Sequence, residues 1–176
     1  MKKIIYYVAT SLDGYIAGPN EDSSSFAGGG DLVDRYLNDL KVFETVIMGR
    51  KTYEFGYQFG LEPGKPAYPH MDHYIFSETL VLDDRADSVY IEKMDLNRIK
   101  EIQSKATTDI YLCGGGQFAG WLHDNGMIDR LKLKINPITL GDGTRLFGNS
   151  SSNTSWKFSG AESFEGGLQL VTYDLK

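Results

Sequence analysis

The chain has 176 residues, 41% of them hydrophobic and 24% charged, which is ordinary globular usage and favours a single domain over residues 1–176. Its net charge of −6 disfavours a nucleic-acid or anionic-membrane surface, because binding to phosphates depends on lysine and arginine, and no segment approaches the roughly 20 apolar residues that span a bilayer. The single cysteine, Cys113, excludes an intrachain disulfide and favours a reducing compartment such as the cytoplasm.

The N-terminal part of the chain predicts a strand, a long loop and a helix. Residues 3–10 are β-branched and aromatic, as is typical of a buried strand. Residues 11–30 are rich in Gly, Ser, Asn and Asp, and loops of this length in compact domains are usually functional or disordered. Apolar residues at helical spacing then predict a helix over residues 31–43, with Asp31 as its N-cap.

The next segments predict strands on either side of a proline-containing loop. Residues 45–49, "TVIMG", indicate a short buried strand, and residues 50–56, "RKTYEFG", begin a helical turn. Residues 56–71 carry prolines and glycines that indicate another loop. Two further strands are predicted over residues 73–77 and 88–92.

The third part of the chain continues the alternation of helix and strand. Residues 94–105 predict a helix that Asp95 caps, and residues 109–113 predict a strand. Residues 116–126 predict a second helix, and residues 128–136 alternate apolar and charged side chains, as a half-exposed strand does.

The C-terminal part of the chain is rich in β-structure. Residues 156–175 predict two strands joined at Gly166 and Gly167, which is an antiparallel hairpin. Because β and α segments alternate before this point, we expect an α/β fold with a mainly parallel sheet flanked by helices. The hairpin adds antiparallel strands at one edge of that sheet.

One strand–turn–helix unit, "VIMGRKTYE", places polar groups where an open α/β sheet binds its ligands, beyond the carboxyl end of a strand. Gly49 follows the strand, and Arg50, Lys51 and Thr52 open the helical turn. Two cations and a hydroxyl at one turn suit a phosphate, and arginine adds bidentate geometry. The alternative is a solvated basic pair without a ligand.

A second such unit, "YLCGGGQFA" over residues 111–119, has three glycines between a strand and a helix. Gly114, Gly116 and Ala119 fit the dinucleotide pattern G-x-G-x-x-A, but the turn falls late in the chain and no second βαβ unit with a ribose-binding acid follows. A Walker A loop is excluded because Trp121 stands where that loop has its lysine. The glycines therefore either approach a ligand of another kind or simply turn the chain.

Five motifs in this order carry a resemblance to the dihydrofolate reductase-like superfamily. They are "VATSLDGYIAG" (8–18), "VIMGRKTYE" (46–54), "IFSETL" (75–80), "YLCGGGQFA" (111–119) and "NPITLGDGTRLFG" (136–148). Within that superfamily the chain is similar to stand-alone relatives of the C-terminal reductase domain of the bifunctional riboflavin-biosynthesis deaminase/reductase. The resemblance covers nearly the whole chain and implies a three-layer α/β sandwich.

The resemblance also implies an NADPH molecule across the carboxyl ends of the strands. Ala9 and Ile16 would flank the nicotinamide, and Ser77 would lie near the adenosine 2′-phosphate. The residues expected at the phosphates are Gly49, Arg50, Lys51 and Thr52, with Arg50 or Lys51 at the 2′-phosphate. Those expected at the pyrophosphate and the nicotinamide side are Gly114, Gly115, Gly116, Gln117 and Phe118.

The resemblance defines the residues that would bind the substrate less well, because the acidic residue that dihydrofolate reductases carry on the first helix has no exact counterpart in this chain. The aligned position is near Val33, and Asp31 and Asp34 are the candidates for the catalytic acid. Riboflavin-pathway reductase domains also tend to have an acid where this chain has Gly114 and another where it has Gly56.

These features predict an NADPH-dependent reductase of a small heterocyclic or carbonyl/imine substrate, with residues 11–30 as a lid. Reduction of 5-amino-6-(5-phosphoribosylamino)uracil is the reaction that the resemblance suggests, and Arg35 and Ser23 to Ser25 are the nearby candidates for its phosphate. The alternative is a non-catalytic nucleotide-binding or regulatory module on the same fold. The resemblance further implies a homodimer, and no metal site is expected.

Overall fold

A computed structural model describes all residues from Met1 to Lys176 and shows helices on both faces of one large sheet. The strands are β1 (Ile4–Thr10), β2 (Tyr15–Ala17), β3 (Thr45–Gly49), β4 (Asp72–Phe76), β5 (Val89–Glu92), β6 (Ile110–Gly114), β7 (Arg130–Ile135), β8 (Thr144–Arg145), β9 (Trp156–Ser163) and β10 (Gln169–Leu175). The α-helices are α1 (Asp31–Leu40), α2 (Arg50–Phe55), α3 (Leu96–Lys105) and α4 (Gly116–Asp124). No helix has the length and apolarity that crossing a bilayer requires.

The sheet has eight strands in the order β5-β4-β3-β6-β1-β7-β10-β9. All neighbours from β5 to β7 are parallel, and β10 is antiparallel to both β7 and β9. This arrangement confirms the predicted α/β sandwich, with its mainly parallel sheet and antiparallel C-terminal hairpin. The carboxyl ends of β3, β6, β1 and β7 therefore lie side by side along one edge of the sheet.

Two apolar clusters fill the space between the sheet and its helices. Alternate residues of β1 supply both, because a parallel strand is covered on its two faces. Ile4 and Tyr6 face the cluster that contains residues of α3 and α4, whereas Ile5 and Tyr7 face the cluster that contains residues of α1 and α2. All four side chains are buried, so "IIYY" forms the centre of the molecule.

The loop over residues 141–148 lies against α4 and fixes its position relative to β2. A Cβ atom added to Gly116 would lie 2.2 Å from the carbonyl oxygen of Arg145, and one added to Gly120 would lie 2.2 Å from that of Phe147. A Cβ on Gly143, whose φ is +126°, would lie 2.1 Å from the carbonyl oxygen of Ala17. These glycines are required because backbone packs directly on backbone at these points.

Several local expectations need correction, and one is confirmed. Gly30 is the N-cap of α1 and Asp31 is its first residue, so the predicted capping by Asp31 is wrong. Asp95 does cap α3, because its carboxylate accepts a hydrogen bond from the Asn97 amide at 2.9 Å. The segment predicted as a loop over residues 11–30 contains β2, which pairs with β8 in a separate two-stranded sheet.

Candidate functional site

A cleft of about 670 Å³ opens at the carboxyl ends of β1, β3, β6 and β7. The predicted cofactor residues that line it are Ala9, Ile16, Gly49, Arg50, Lys51, Thr52, Gly115, Gly116, Gln117 and Phe118. They come from two strand–turn–helix units, from the end of β1 and from β2, which is where an open α/β sheet binds its ligands. Ser77 and Gly114 are not part of the lining.

The two glycine turns contact each other at the mouth of the cleft. A Cβ atom on Gly49 would lie 3.2 Å from the Cβ of Phe118, and one on Gly115 would lie 2.9 Å from Thr52 Oγ1. Side chains at these glycines would therefore push the turns apart. β3 and β6 are neighbours in the sheet, so motifs more than 60 residues apart in the chain form one continuous surface.

Two cations lie at the rim of this surface. Arg50 donates from Nε to Glu54 Oε1 at 2.8 Å and from Nη1 to Thr79 Oγ1 at 2.8 Å. Lys51 is largely exposed, with Nζ 4.0 Å from Glu21 Oε1. Both side chains are exposed enough to exchange these weak surface partners for a phosphate.

Ser77 has a structural role in the turn that follows β4. Its Oγ accepts hydrogen bonds from the amides of Thr79, at 3.2 Å, and Leu80, at 2.9 Å. Arg50 also contacts this turn through Thr79. The turn therefore lies next to Arg50 at the rim of the cleft, although Ser77 itself does not line the cleft.

Neither proposed catalytic aspartate reaches the cleft. Asp31 and Asp34 lie in the first turn of α1 and are exposed, and neither is among the residues that line the cleft. The residue of α1 that does line it is Tyr36. The geometry therefore gives no support to a catalytic role for either aspartate, which stays a prediction from the resemblance.

One residue of the cleft that the sequence did not single out is Lys134, on β7. Its Nζ lies 3.3 Å from the centroid of the Tyr36 ring and 6.0 Å from that of the Tyr7 ring, and its side chain lines the cleft. Burial lowers the pKa of Lys134 from 10.5 to about 8. The only signal in the sequence was the alternation of charged residues along β7, which predicted a solvated face.

Hydroxyl groups and one thiol surround this end of the cleft. Tyr36 and Tyr111 share a hydrogen bond of 2.6 Å between their hydroxyls, and the Tyr68 hydroxyl lies 3.7 Å from Cys113 Sγ. Burial raises the pKa of Tyr36 to about 12 and also raises the pKa of the Cys113 thiol, so these groups are neutral near pH 7. Cys113 also lines the cleft.

The sequence profile of the RibD C-terminal domain matches residues 2–170. The chain belongs to this family. It is 27% identical over 176 residues to the uncharacterized protein YwjB of Bacillus subtilis, an alignment that covers 96% of each chain.

Two solved structures share the fold of this RibD C-terminal domain protein. A protein assigned to riboflavin biosynthesis from Shewanella sp. PV-4 superposes with a TM-score of 0.81 and 24% identity, over 99% of both chains. Dihydrofolate reductase from Enterococcus faecalis, complexed with NADP(H) and RAB-propyl, superposes with a TM-score of 0.69 and 15% identity, over 99% of this chain and 96% of that one. The family and its neighbours establish a reductase-type fold.

In this RibD C-terminal domain, the arginine expected at the phosphate of the substrate does not reach the cleft. Arg35 donates from Nε to Asp39 at 2.9 Å and from Nη1 to Glu162 at 2.6 Å, and it does not line the cleft. Among the serines proposed beside it, Ser23 does line the cleft. Arg35 is therefore already neutralised by two carboxylates.

The segment proposed as a lid is fastened to the loop that precedes β8. The Asp13 carboxylate accepts hydrogen bonds from the amides of Leu140, at 3.1 Å, and Gly141, at 2.8 Å, and from Ser11 Oγ at 2.6 Å. These bonds hold the pKa of Asp13 at about 2. The same segment carries Ile16 into the lining of the cleft.

Proposed function

We propose that the protein is an NADPH-dependent reductase of a small heterocyclic, carbonyl or imine substrate. The observation that supports it most is the contact between the Gly49 and Gly115 turns at the mouth of one cleft. Two adjoining turns with little side-chain bulk, bordered by two cations, suit a dinucleotide with several phosphates. The family supports a reductase, and the structure supplies a continuous surface for the cofactor.

The residues present fit NADPH along the whole cleft. Arg50 and Lys51 would hold the 2′-phosphate at the rim, because arginine and lysine are the side chains that bind phosphate dianions. Thr52 and the backbone around Gly115 would hold the pyrophosphate. Ala9 and Ile16 would border the nicotinamide, which supplies a hydride when bound. The protein's own task is to orient that ring and exclude water.

The first test is a titration with NADPH and NADH, followed by tryptophan fluorescence, on the wild type and on the double variant Arg50→Ala, Lys51→Ala. We expect saturable binding of both cofactors by the wild type, with NADPH bound more tightly. The double variant should weaken NADPH by about tenfold or more, since charge-assisted bonds are worth roughly 1.5–3 kcal/mol. Binding of NADH, which lacks the 2′-phosphate, should change much less.

The matched control replaces two exposed lysines that lie outside the cleft, Lys100→Ala and Lys157→Ala. It removes the same number of positive charges and should leave both affinities unchanged. Equal losses for NADPH and NADH in the Arg50, Lys51 variant would contradict a 2′-phosphate role. Absence of a saturable response to either cofactor would refute the reductase proposal.

The second candidate is a non-catalytic nucleotide-binding module, which the exposed positions of Asp31 and Asp34 favour. The reductase remains the better proposal because the cleft extends beyond the nicotinamide position to Lys134 and Tyr36. A module that only binds a nucleotide has no need of that extra space.

Reduction of 5-amino-6-(5-phosphoribosylamino)uracil is the specific reaction to assay first. The neutralised Arg35 argues against it, because that arginine cannot serve the ribose phosphate without losing both carboxylates.

We also propose that the protein acts in the cytoplasm as a homodimer, in line with the resemblance. The surface that we propose is β9, one of the two edge strands of the sheet, on which Phe158 is 60% exposed. A free edge with an exposed aromatic side chain is a site where a second chain can pair.

A further inference from the structure

An ammonium group without an acidic partner lies at the far end of the cleft. Lys134 is the register partner of Ala9, the residue expected beside the nicotinamide. No carboxylate oxygen lies within 4.0 Å of its Nζ, and the nearest aromatic face is that of Tyr36. Withdrawing a cation from water without a counter-ion is unfavourable, and a cation–π contact offsets only part of that cost.

The neighbouring lysine on the same face of β7 shows the contrast. Lys132 is bonded to the carboxylate of Asp39, which also accepts from Arg35 Nε at 2.9 Å and from the Tyr7 hydroxyl at 3.2 Å. The acceptors of Asp39 are therefore occupied by other donors. Lys134 has no acid of the protein to bind, and its positive charge faces the cleft.

The groups around Lys134 are planar and neutral. Tyr7 of β1 and Tyr36 of α1 present their rings to its Nζ, and the hydroxyls of Tyr36 and Tyr111 bond each other. Cys113 of β6 completes this end of the cleft as a neutral thiol. Aromatic walls favour a flat ring, and one unpartnered cation among neutral groups favours an oxygen that carries negative charge.

We infer that Lys134 is the specificity-determining residue of the substrate half of the cleft, where it binds a carboxylate, enolate or polarised carbonyl oxygen of a planar substrate. This inference rests on the proposed function for the assignment of the other half to NADPH. It excludes substrates that present a protonated amidine or guanidine at this position, because two cations would then face each other. The substrate class is thus a flat molecule with an acidic or carbonyl oxygen.

The test uses three probes of the same shape and different charge: benzoate, benzamide and benzamidinium. Each is titrated into the wild-type protein by calorimetry, first without cofactor and then with saturating NADP⁺. We expect saturable binding of benzoate and binding of benzamide that is weaker by about tenfold or more, as for the loss of one charge-assisted bond. Benzamidinium should give no saturable signal.

Three variants assign the effect to Lys134. Lys134→Met should weaken benzoate by about tenfold or more, while Lys134→Arg, which keeps the charge, should stay within about threefold of the wild type. Lys132→Met is the matched control, since it removes a lysine from the same strand face outside the lining of the cleft, and it should leave benzoate binding unchanged. Circular dichroism verifies the fold of each variant.

Equal affinities for the three probes, or no benzoate binding by the wild type, would overturn the inference. So would an unchanged benzoate affinity in Lys134→Met. If Lys134→Met fails to fold, Lys134→Arg and the comparison of probes on the wild type still decide the matter. The titrations without cofactor keep the two proposals separate, because failure of NADP⁺ to bind would refute the cofactor half while leaving the benzoate result intact.

Discussion

At the scale of single residues, Lys134 connects ligand recognition with stability. Burial lowers its pKa from 10.5 to about 8, so the folded protein disfavours the charged form that the unfolded chain carries near neutral pH. The contribution of Lys134 to the free energy of unfolding is therefore highest above pH 10.5, where the amine is neutral in both states, and it falls as the pH is lowered from 10.5 through 8. A residue that stays charged in this place at neutral pH costs the protein stability, which is typical of residues kept for function.

We therefore expect Lys134→Met to be more stable than the wild type at pH 7, by on the order of 2 kcal/mol. The difference should shrink as the pH rises from about 8 toward 10.5, because the wild-type lysine is then neutral in the folded protein while the unfolded chain still carries its charge. Urea unfolding of both proteins between pH 6 and pH 10 measures this difference directly. A variant that is less stable than the wild type at every pH would instead show that the contact with Tyr36 is structural.

At the scale of elements, the segment between β1 and α1 is fastened firmly at one end and held by fewer bonds at the other. Asp13 bonds the amides of Leu140 and Gly141, and β2 pairs with β8. In contrast, the end nearer to α1 is held by one bond, from the Ala27 amide to Asn136 Oδ1 at 2.9 Å, and an added Cβ at Gly28 or Gly29 would meet no atom within 4 Å. The part of the lid that carries Ile16 is thus the fixed part, so closure over a ligand would come mainly from residues nearer to α1.

Replacing Asp13 with asparagine should loosen the fixed end. The amide offers one oxygen in place of two, so it cannot accept all of the bonds that Leu140, Gly141 and Ser11 donate to the carboxylate. We expect faster amide hydrogen exchange at Leu140 and Gly141, and a loss of NADPH affinity of about two- to tenfold, because Ile16 loses its fixed position.

The control for this prediction is Asp22→Asn in the same segment. Asp22 accepts from the amide of Ser24 and makes no bond to the loop before β8. Its replacement should leave exchange at Leu140 and Gly141 at the wild-type rate. If Asp13→Asn also leaves that rate unchanged, the carboxylate does not hold the segment in solution.

At the scale of the whole molecule, the fold and the cofactor end of the cleft could be predicted from the sequence, because short stretches of neighbouring residues indicate both. Strand–turn–helix units with glycines at the turn, such as "VIMGRKTYE" and "YLCGGGQFA", are visible in nine residues each. Parallel strands then bring their carboxyl ends to one edge whatever lies between them. The contact of the Gly49 and Gly115 turns follows from that rule.

The substrate end of the cleft could not be predicted from the sequence, because its residues come together only in the folded structure. Arg130, Lys132 and Lys134 alternate along β7 in the same way, and the pattern predicts one solvated face. Two tertiary features distinguish Lys134 from the other two: α1 lays Tyr36 over it, and it has no carboxylate partner, whereas Arg130 pairs with Asp174 and Lys132 with Asp39. β2 and β8 were missed for a different reason, since strands of three and two residues are too short to show a period.

The order of the strands also predicts how the molecule unfolds. β1, from the N-terminus, lies between β6 and β7, and the C-terminal strand β10 lies against β7, so the sheet has no boundary at which residues 1–176 could separate into two units. We expect a single unfolding transition, with coincident curves from circular dichroism and tryptophan fluorescence. Trp121 on α4 and Trp156 on β9 pack against the same apolar cluster from two different elements, and Trp156→Phe isolates the signal of Trp121. Separate transitions would contradict the single domain.

The same measurement tests the proposed homodimer. If a second copy pairs along β9, unfolding also separates the subunits, and the midpoint must rise with protein concentration. Phe158→Lys places a charge on the exposed edge, where it should abolish that concentration dependence without changing the core, because Phe158 is 60% exposed. Lys157→Ala on the same strand serves as the control. A wild-type midpoint that is independent of concentration, together with a monomer in sedimentation, would show that β9 remains a free edge.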